Sequence, residues 1–82
     1  MRISVIAGDL DRVMNPADYR VTLNGVEQRD CLVADADKGM ILRYKRNRMG
    51  LFSVTHDGKK DTEELHGTVV IYHKSYPTEP LL

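Results

Sequence analysis

Apolar and polar residues alternate along this chain in short runs that Gly, Pro, Asn and Asp separate. Strict alternation is the pattern of a half-buried β-strand, because successive side chains point to opposite faces. It predicts six short strands, at residues 2–7, 19–23, 26–33 with an internal bend, 40–46, 51–56 and 65–73. Short strands with closely spaced turns are typical of an all-β protein.

The clearest local signal is the dipeptide Asn24-Gly25, which lies between β-forming residues. This dipeptide readily takes the positive φ angles of a two-residue type I′ turn, so we expect a hairpin in which Leu23 faces Val26. The apolar face ends after Val26, which predicts a bend at 28–30. A second turn at 35–39 would complete a three-strand antiparallel meander.

The alternation also assigns faces to two of the predicted strands. Along 40–46 the inward residues are Met40, Leu42 and Tyr44, and the outward residues are Arg43 and Lys45. Along 65–73 the inward residues are Leu65, Gly67, Val69 and Ile71, and the outward residues are His66, Thr68, Val70 and Tyr72. A competing interpretation makes 61–64 the cap of one helical turn.

The sequence therefore predicts an all-β fold, mainly an antiparallel meander of about six short strands in a small sheet or an open barrel. One short helical turn near residues 11–14 is compatible with it. At 82 residues there is room for one domain, which we place at 1–74. The tail at 75–82 contains two prolines and little to bury, so we expect it to be loosely held.

Composition narrows the functional classes. Twelve basic and twelve acidic residues give a formal net charge of zero, whereas dedicated nucleic-acid binders carry a clear basic excess. The single cysteine, Cys31, cannot form an internal disulfide, which favours a reducing compartment. No apolar run approaches the roughly 20 residues of a membrane span, and the first residues lack the pattern of a signal peptide. We therefore expect a cytoplasmic protein without a membrane partner.

No motif for catalysis or cofactor binding is present. Structural zinc sites bring ligands in close pairs, and the four candidate ligands are too widely spaced: Cys31, His56, His66 and His73. The acidic turn at 35–39 lacks the Gly and Glu of a calcium loop. There is no nucleophile elbow and no Gly-rich phosphate loop. A chain this short also leaves little room for a deep cavity. We expect no enzyme, no cofactor and no small-molecule substrate.

The most suggestive segment for binding is basic. It puts an aromatic ring among four basic side chains on one predicted hairpin: Arg43, Tyr44, Lys45, Arg46 and Arg48. Basic ribbons of this kind contact phosphates. The alternative is a solvated strand edge, where Lys and Arg prevent unwanted sheet pairing, and the neutral net charge favours this alternative.

Several stretches resemble a group of short phage and prophage open reading frames. They are MRISVIAGD at the start, V-x-L-N-G-V at 21–26, D-C-L-V-A-D at 30–35, L-R-Y at 42–44 and T-E-E-L-H-G at 62–67. The resemblance implies a phage-encoded protein that is made in a bacterial cytoplasm, with incorporation into a virion as one outcome. These phage proteins have no assigned activity, so the resemblance carries over no functional residue.

Taken together, the sequence predicts a non-enzymatic, phage-derived protein–protein interaction module, in one form an accessory to virion assembly. The expected contact surface is an exposed strand edge or the outward face with Val70 and Tyr72, against an unknown phage or host protein or a second copy. A nucleic-acid-binding β-module that uses the basic hairpin at 43–48 is the first alternative. An inhibitor of a host protein is the second.

Overall fold

The structure is a computed structural model, and it describes residues 1–81. Seven strands and one short 3₁₀ turn make up its regular elements. The strands are β1 (Arg2–Ser4), β2 (Tyr19–Leu23), β3 (Val26–Gln28), β4 (Cys31–Asp35), β5 (Met40–Tyr44), β6 (Thr62–His66) and β7 (Val69–His73). The 3₁₀ turn is Pro16–Asp18, so the only helical turn in residues 1–81 lies later than the predicted one at 11–14.

The strands form two antiparallel sheets. One has the order β1-β4-β5-β6 and the other the order β3-β2-β7. Over residues 1–81 the sheets do not close into a barrel. The predicted all-β, antiparallel class is therefore confirmed, but the strands are divided between two sheets.

The predicted hairpin at Asn24-Gly25 is present. Asn24 has φ 51° and Gly25 has φ 83°, the two positive values that a type I′ turn requires. Leu23 pairs with Val26 in the register that the turn length imposes. Local turn chemistry is sufficient to predict this element, because a two-residue loop permits one register.

The predicted three-strand meander is wrong, because β3 and β4 belong to different sheets. The chain turns at Asp30, which has φ 61° and whose backbone C=O accepts a hydrogen bond from Tyr44 N at 3.1 Å. This bend occurs within the predicted 28–30 segment. It redirects the chain into the other sheet, where β4 pairs with β1 and β5. A bulge between Cys31 and Val33 adjusts the β4–β5 register.

The single strand predicted at 65–73 is also wrong, since it is split into β6 and β7. The break is at Gly67, which lies against two other turns. A Cβ at Gly39 would lie 2.5 Å from the carbonyl oxygen of Gly67, and a Cβ at Gly67 would lie 2.7 Å from the side chain of Asn24. The chain crosses here from one sheet to the other, and only glycine permits such close backbone approach. The residues 62–66 form a strand, not the alternative helical turn.

The predicted face of β5 is reversed. Ile41 is completely buried, whereas Met40, Leu42 and Tyr44 are half-buried on the opposite side. Arg43 shares the parity of Ile41 and is half-buried, so it is not the outward residue that the alternation predicted. Three consecutive apolar residues made both phases equally plausible, and a shift of one position moves every side chain to the other face.

The core lies between the sheets. Its buried residues are Ile3, Ala34 and Ile41 from one sheet and Val21, Val69 and Ile71 from the other. Along β7 the prediction that Val69 and Ile71 point inward is confirmed. In the tail, Leu81 packs against this core and its N–H donates to the carbonyl oxygen of Ile71 at 2.7 Å.

The segment predicted as a strand at 51–56 takes part only in isolated bridges, and the strands predicted at 2–7 and 40–46 are shorter than expected. In residues 1–81, which the structure describes, no helix is long and apolar enough to cross a membrane.

Candidate interaction surface on the 45–61 arm

Residues 45–61 extend β5 and β6 beyond the sheet, and we call this segment the arm. At its base, Lys45 N donates to Asp61 O at 3.0 Å. Ser53 then lies between the two diverging chains: its N–H donates to Lys45 O at 2.9 Å, and its C=O accepts from Asp61 N at 2.9 Å. Backbone hydrogen bonds therefore hold the arm together, and none of its residues belongs to the core cluster.

Two tight turns form the ends of the arm. In the first, the side chain of Asn47 accepts hydrogen bonds from the backbone N–H groups of Met49 and Leu51 at 2.9 and 3.1 Å. In the second, Thr55 N donates to Lys59 O at 2.7 Å. Asn as an acceptor for nearby N–H groups is a common turn device, so these turns follow from local sequence.

One face of the arm combines aromatic, aliphatic and basic side chains. Arg46 bridges to Phe52, and Val54 bridges to Lys60; side chains directly opposite in an antiparallel pair lie on the same face. The ring of Tyr44 meets that of Phe52 edge-to-face with centroids 5.8 Å apart. The Arg46 guanidinium and the Lys60 ammonium each lie 4.2 Å from the Phe52 centroid. We call these five residues the aromatic face.

Two of the arginines predicted as nucleic-acid contacts hold the structure together. Arg43 forms an ion pair with Glu63 at 2.8 Å and donates to Gln28 Oε1 at 2.8 Å, which joins the two sheets. Arg46 forms an ion pair with Asp30 at 2.8 Å, which ties the arm to the β3–β4 crossover. Their charges are therefore largely neutralised within the chain.

The other predicted basic contacts, Lys45 and Arg48, are exposed and have no carboxylate partner within residues 1–81. The structure adds Lys59 and Lys60, which are likewise exposed and outside any ion pair of the described chain. The sequence prediction missed both, together with Phe52. One signal was available in the sequence: residues 51–56 lie between the basic residues at 43–48 and those at 59–60. If the chain folds back on itself at 51–56, these two groups of basic residues come close together.

The arm also exposes aliphatic surface. Met49 is 84% exposed, Leu51 61% and Val54 64%. The predicted protein contacts on β7 are more covered: Val70 and Tyr72 are half-buried, and the Arg20 guanidinium lies 4.7 Å from the Tyr72 ring centroid. Of the two surfaces, the arm therefore offers the more accessible apolar groups.

Charge is divided unevenly between the arm and the rest of the chain. The arm has five basic and two acidic residues, and the remainder has seven basic and ten acidic residues. The formal charges are therefore +3 and −3, which the net charge of zero conceals. A charge separation of this kind steers association with charged partners.

Cys31 does not have the surroundings of a reactive thiol. It is half-buried at the start of β4, and burial raises its pKa, while the nearby charge of Arg43 lowers the pKa by less. A raised pKa reduces the fraction of thiolate, the nucleophilic form. Within residues 1–81 no three His, Cys, Asp or Glu side chains come close enough together to hold a metal ion.

Comparison with known proteins found no family model, no curated protein and no solved structure that matches this chain.

Proposed function

We propose that this chain is a non-enzymatic protein–protein interaction module that contacts its partner through the arm. The observation that supports this proposal most directly is the exposure of Met49, Leu51 and Val54 on a segment outside the core. Exposed aliphatic groups gathered on one segment are typical of protein-binding surfaces.

The same residues supply part of the binding free energy that a specific contact needs. Burying one Val, Leu or Met side chain contributes about 1.5–3 kcal/mol. Three such residues would offset part of the cost of association, which is on the order of 4–15 kcal/mol. The remaining contribution would come from the charged residues around them and from the partner.

The biological setting that we propose is a phage or prophage, with the module as an accessory to particle assembly or as an inhibitor of a host protein. Its support is the resemblance of the strand and turn motifs, such as V-x-L-N-G-V at 21–26 and T-E-E-L-H-G at 62–67, to short phage proteins. Both roles would use the same surface.

A nucleic-acid-binding module is the second candidate, and one observation favours it: Tyr44 and Phe52 share the aromatic face with Arg46 and Lys60. Aromatic and basic groups together form the usual platform for single strands. We rank it second because Arg46 is already paired with Asp30 and because phosphates would leave the aliphatic groups of the arm uncovered.

A pair of matched variants tests the first proposal. In the first variant, Leu51→Thr and Val54→Thr remove exposed aliphatic groups from the arm; in the control, Leu10→Thr and Val26→Thr remove an exposed leucine and an exposed valine outside the arm. Each protein, checked by circular dichroism, is used to capture partners from a bacterial lysate, with quantitative mass spectrometry. We expect a protein that wild type and the control variant retain and that the arm variant loses. Equal capture by all three would reject the arm as the contact surface.

A further inference from the structure

We infer that the partner is an acidic protein segment that, in extended form, presents Asp or Glu residues and aliphatic residues in turn along one face. This inference rests on the proposed function and adds the chemistry of the partner. It depends on two properties of the arm that occur together: positive charge that the chain itself does not pair and exposed aliphatic side chains.

The first property is charge that the chain itself does not neutralise. Of the five basic residues in the arm, only Arg46 has an ion-pair partner within residues 1–81, and Lys45, Arg48, Lys59 and Lys60 have none. A partner with carboxylates at matching positions would supply the missing charges and accelerate association.

Acidic residues elsewhere in the chain are mostly engaged. Seven of the ten outside the arm lie within ion-pair distance of a cation or a histidine: Asp9, Asp11, Asp18, Asp30, Asp37, Glu63 and Glu64. The body of the protein thus has little free carboxylate to offer a second copy. We therefore infer a different protein as the source of the negative charge.

The second property, the exposed aliphatic side chains, favours a protein chain over nucleic acid. Val54 is 64% exposed and lies on the same face as Lys60, its bridge partner. An extended peptide presents side chains to alternate faces with a period of two. A peptide in which every second residue is in turn acidic and aliphatic can therefore place both kinds of side chain on the one face that meets the arm.

The experiment measures binding of the full chain to three labelled probes by fluorescence anisotropy. The first is a peptide that repeats Glu-Ser-Val-Ser, which places Glu and Val in turn on one face of the extended chain, and we call it the Glu/Val peptide. The second repeats Glu-Ser-Ser-Ser, and the third is a single-stranded oligothymidine of similar charge. We expect the Glu/Val peptide to bind most tightly. We also expect its affinity to fall as salt rises, because exposed charges are screened over roughly 10 Å at 0.1 M salt.

Matched charge variants locate the binding. Arg48→Gln with Lys59→Gln removes one arginine and one lysine from the arm, and Arg12→Gln with Lys38→Gln removes the same charges from the body; all four residues are exposed. The arm variant should bind the Glu/Val peptide roughly two- to thirtyfold more weakly, as expected for two exposed ion pairs. The body variant should bind like wild type.

Each result has a distinct meaning. Tighter binding of the oligothymidine than of either peptide would overturn the inference in favour of nucleic acid. Equal effects of the arm and body variants would also overturn it, because binding would then depend on the net charge of the protein and not on the position of the charged residues. If none of the probes binds while the lysate experiment yields an arm-dependent partner whose capture is insensitive to both charge variants, the inference fails and the proposed function stands.

Discussion

The two sheets and the arm differ in how far their side chains are buried and paired. In the sheets, six apolar residues from both layers cover one another, and Arg43 is paired with Glu63. In the arm, backbone hydrogen bonds through Ser53 maintain the shape, whereas Met49 and Leu51 are exposed. The arm therefore keeps its conformation without placing its side chains in the core, which leaves them available for a partner.

The largest effect is expected from the buried side of β5. Ile41→Ala should lower the free energy of unfolding by about 2–5 kcal/mol, because it leaves a cavity in the centre of the core. Leu51→Ala in the arm should change it by about 0.5 kcal/mol or less. Urea denaturation measures both, and Ile41→Val, with an expected loss of about 0.5–1.5 kcal/mol, serves if the alanine variant does not fold.

The same series checks which face of β5 is buried. Leu42 is half-buried in the structure, although the alternation placed it inward. Leu42→Ala should therefore cost clearly less than Ile41→Ala. If Leu42→Ala cost more, the face described for β5 would be incorrect.

Alanine substitutions at two glycines compare the backbone of the sheets with that of the arm. Gly39 has φ 64°, and a Cβ there would meet Gly67 O at 2.5 Å; Gly50 in the arm has φ 80° with nothing within 4 Å of such a Cβ. Both alanine variants should suffer the left-handed strain of about 1–2 kcal/mol. Gly39→Ala should lose additional stability because backbone atoms must move. Thermal or urea unfolding that ranks Gly50→Ala as the more damaging variant would contradict the close approach.

A smaller and local effect is expected inside the arm. Phe52→Leu removes the ring that Arg46 and Lys60 contact, and each exposed cation–π contact contributes about 0.5–1 kcal/mol. Hydrogen exchange should become faster at the amides of Ser53 and Asp61 and stay unchanged in β2 and β7. Faster exchange throughout the protein would show that the arm and the sheets unfold as one unit.

The smallest effect is expected on the stability of the protein at acidic pH. Hydrogen bonds from Arg2 to Asp9 hold the pKa of the Asp9 carboxyl far below its usual range. A depressed folded pKa contributes stability above the unfolded value of roughly 4 and loses it as pH falls towards the folded value. Wild type should therefore lose this contribution progressively below about pH 4, whereas Arg2→Gln should lack the part that Arg2 supplies and keep the part from the Asp11 backbone N–H.

Carboxyl NMR titration of Asp9 reports this pKa directly, and resonances of the arm serve as the internal reference. An ordinary pKa for Asp9 in wild type would contradict the Arg2 ion pair. Titration of Asp9 that also shifted resonances throughout the arm would contradict the independence of the two regions.

Only part of the candidate surface was readable from the sequence. Lys45 and Arg48 were predicted contacts and are exposed, and Tyr44 contributes to the aromatic face. Phe52 and Lys60 were missed, because they reach this face only when the chain returns through two turns. The sequence shows which residues are charged. It does not show which of them are paired, because the carboxylate that neutralises an arginine can lie far away in the chain, as Asp30 does from Arg46.

Local sequence patterns are sufficient to predict the all-β class, the extent of β2 and the hairpin at Asn24-Gly25. These are local properties: alternation sets strand character, and a dipeptide sets the turn and its register. The same patterns do not predict which sheet receives β4, which face of β5 is buried or which basic residues remain unpaired. Those outcomes depend on contacts between residues far apart in the chain, such as Arg43 with Gln28 and Gly39 with Gly67, for which short-range patterns contain no information.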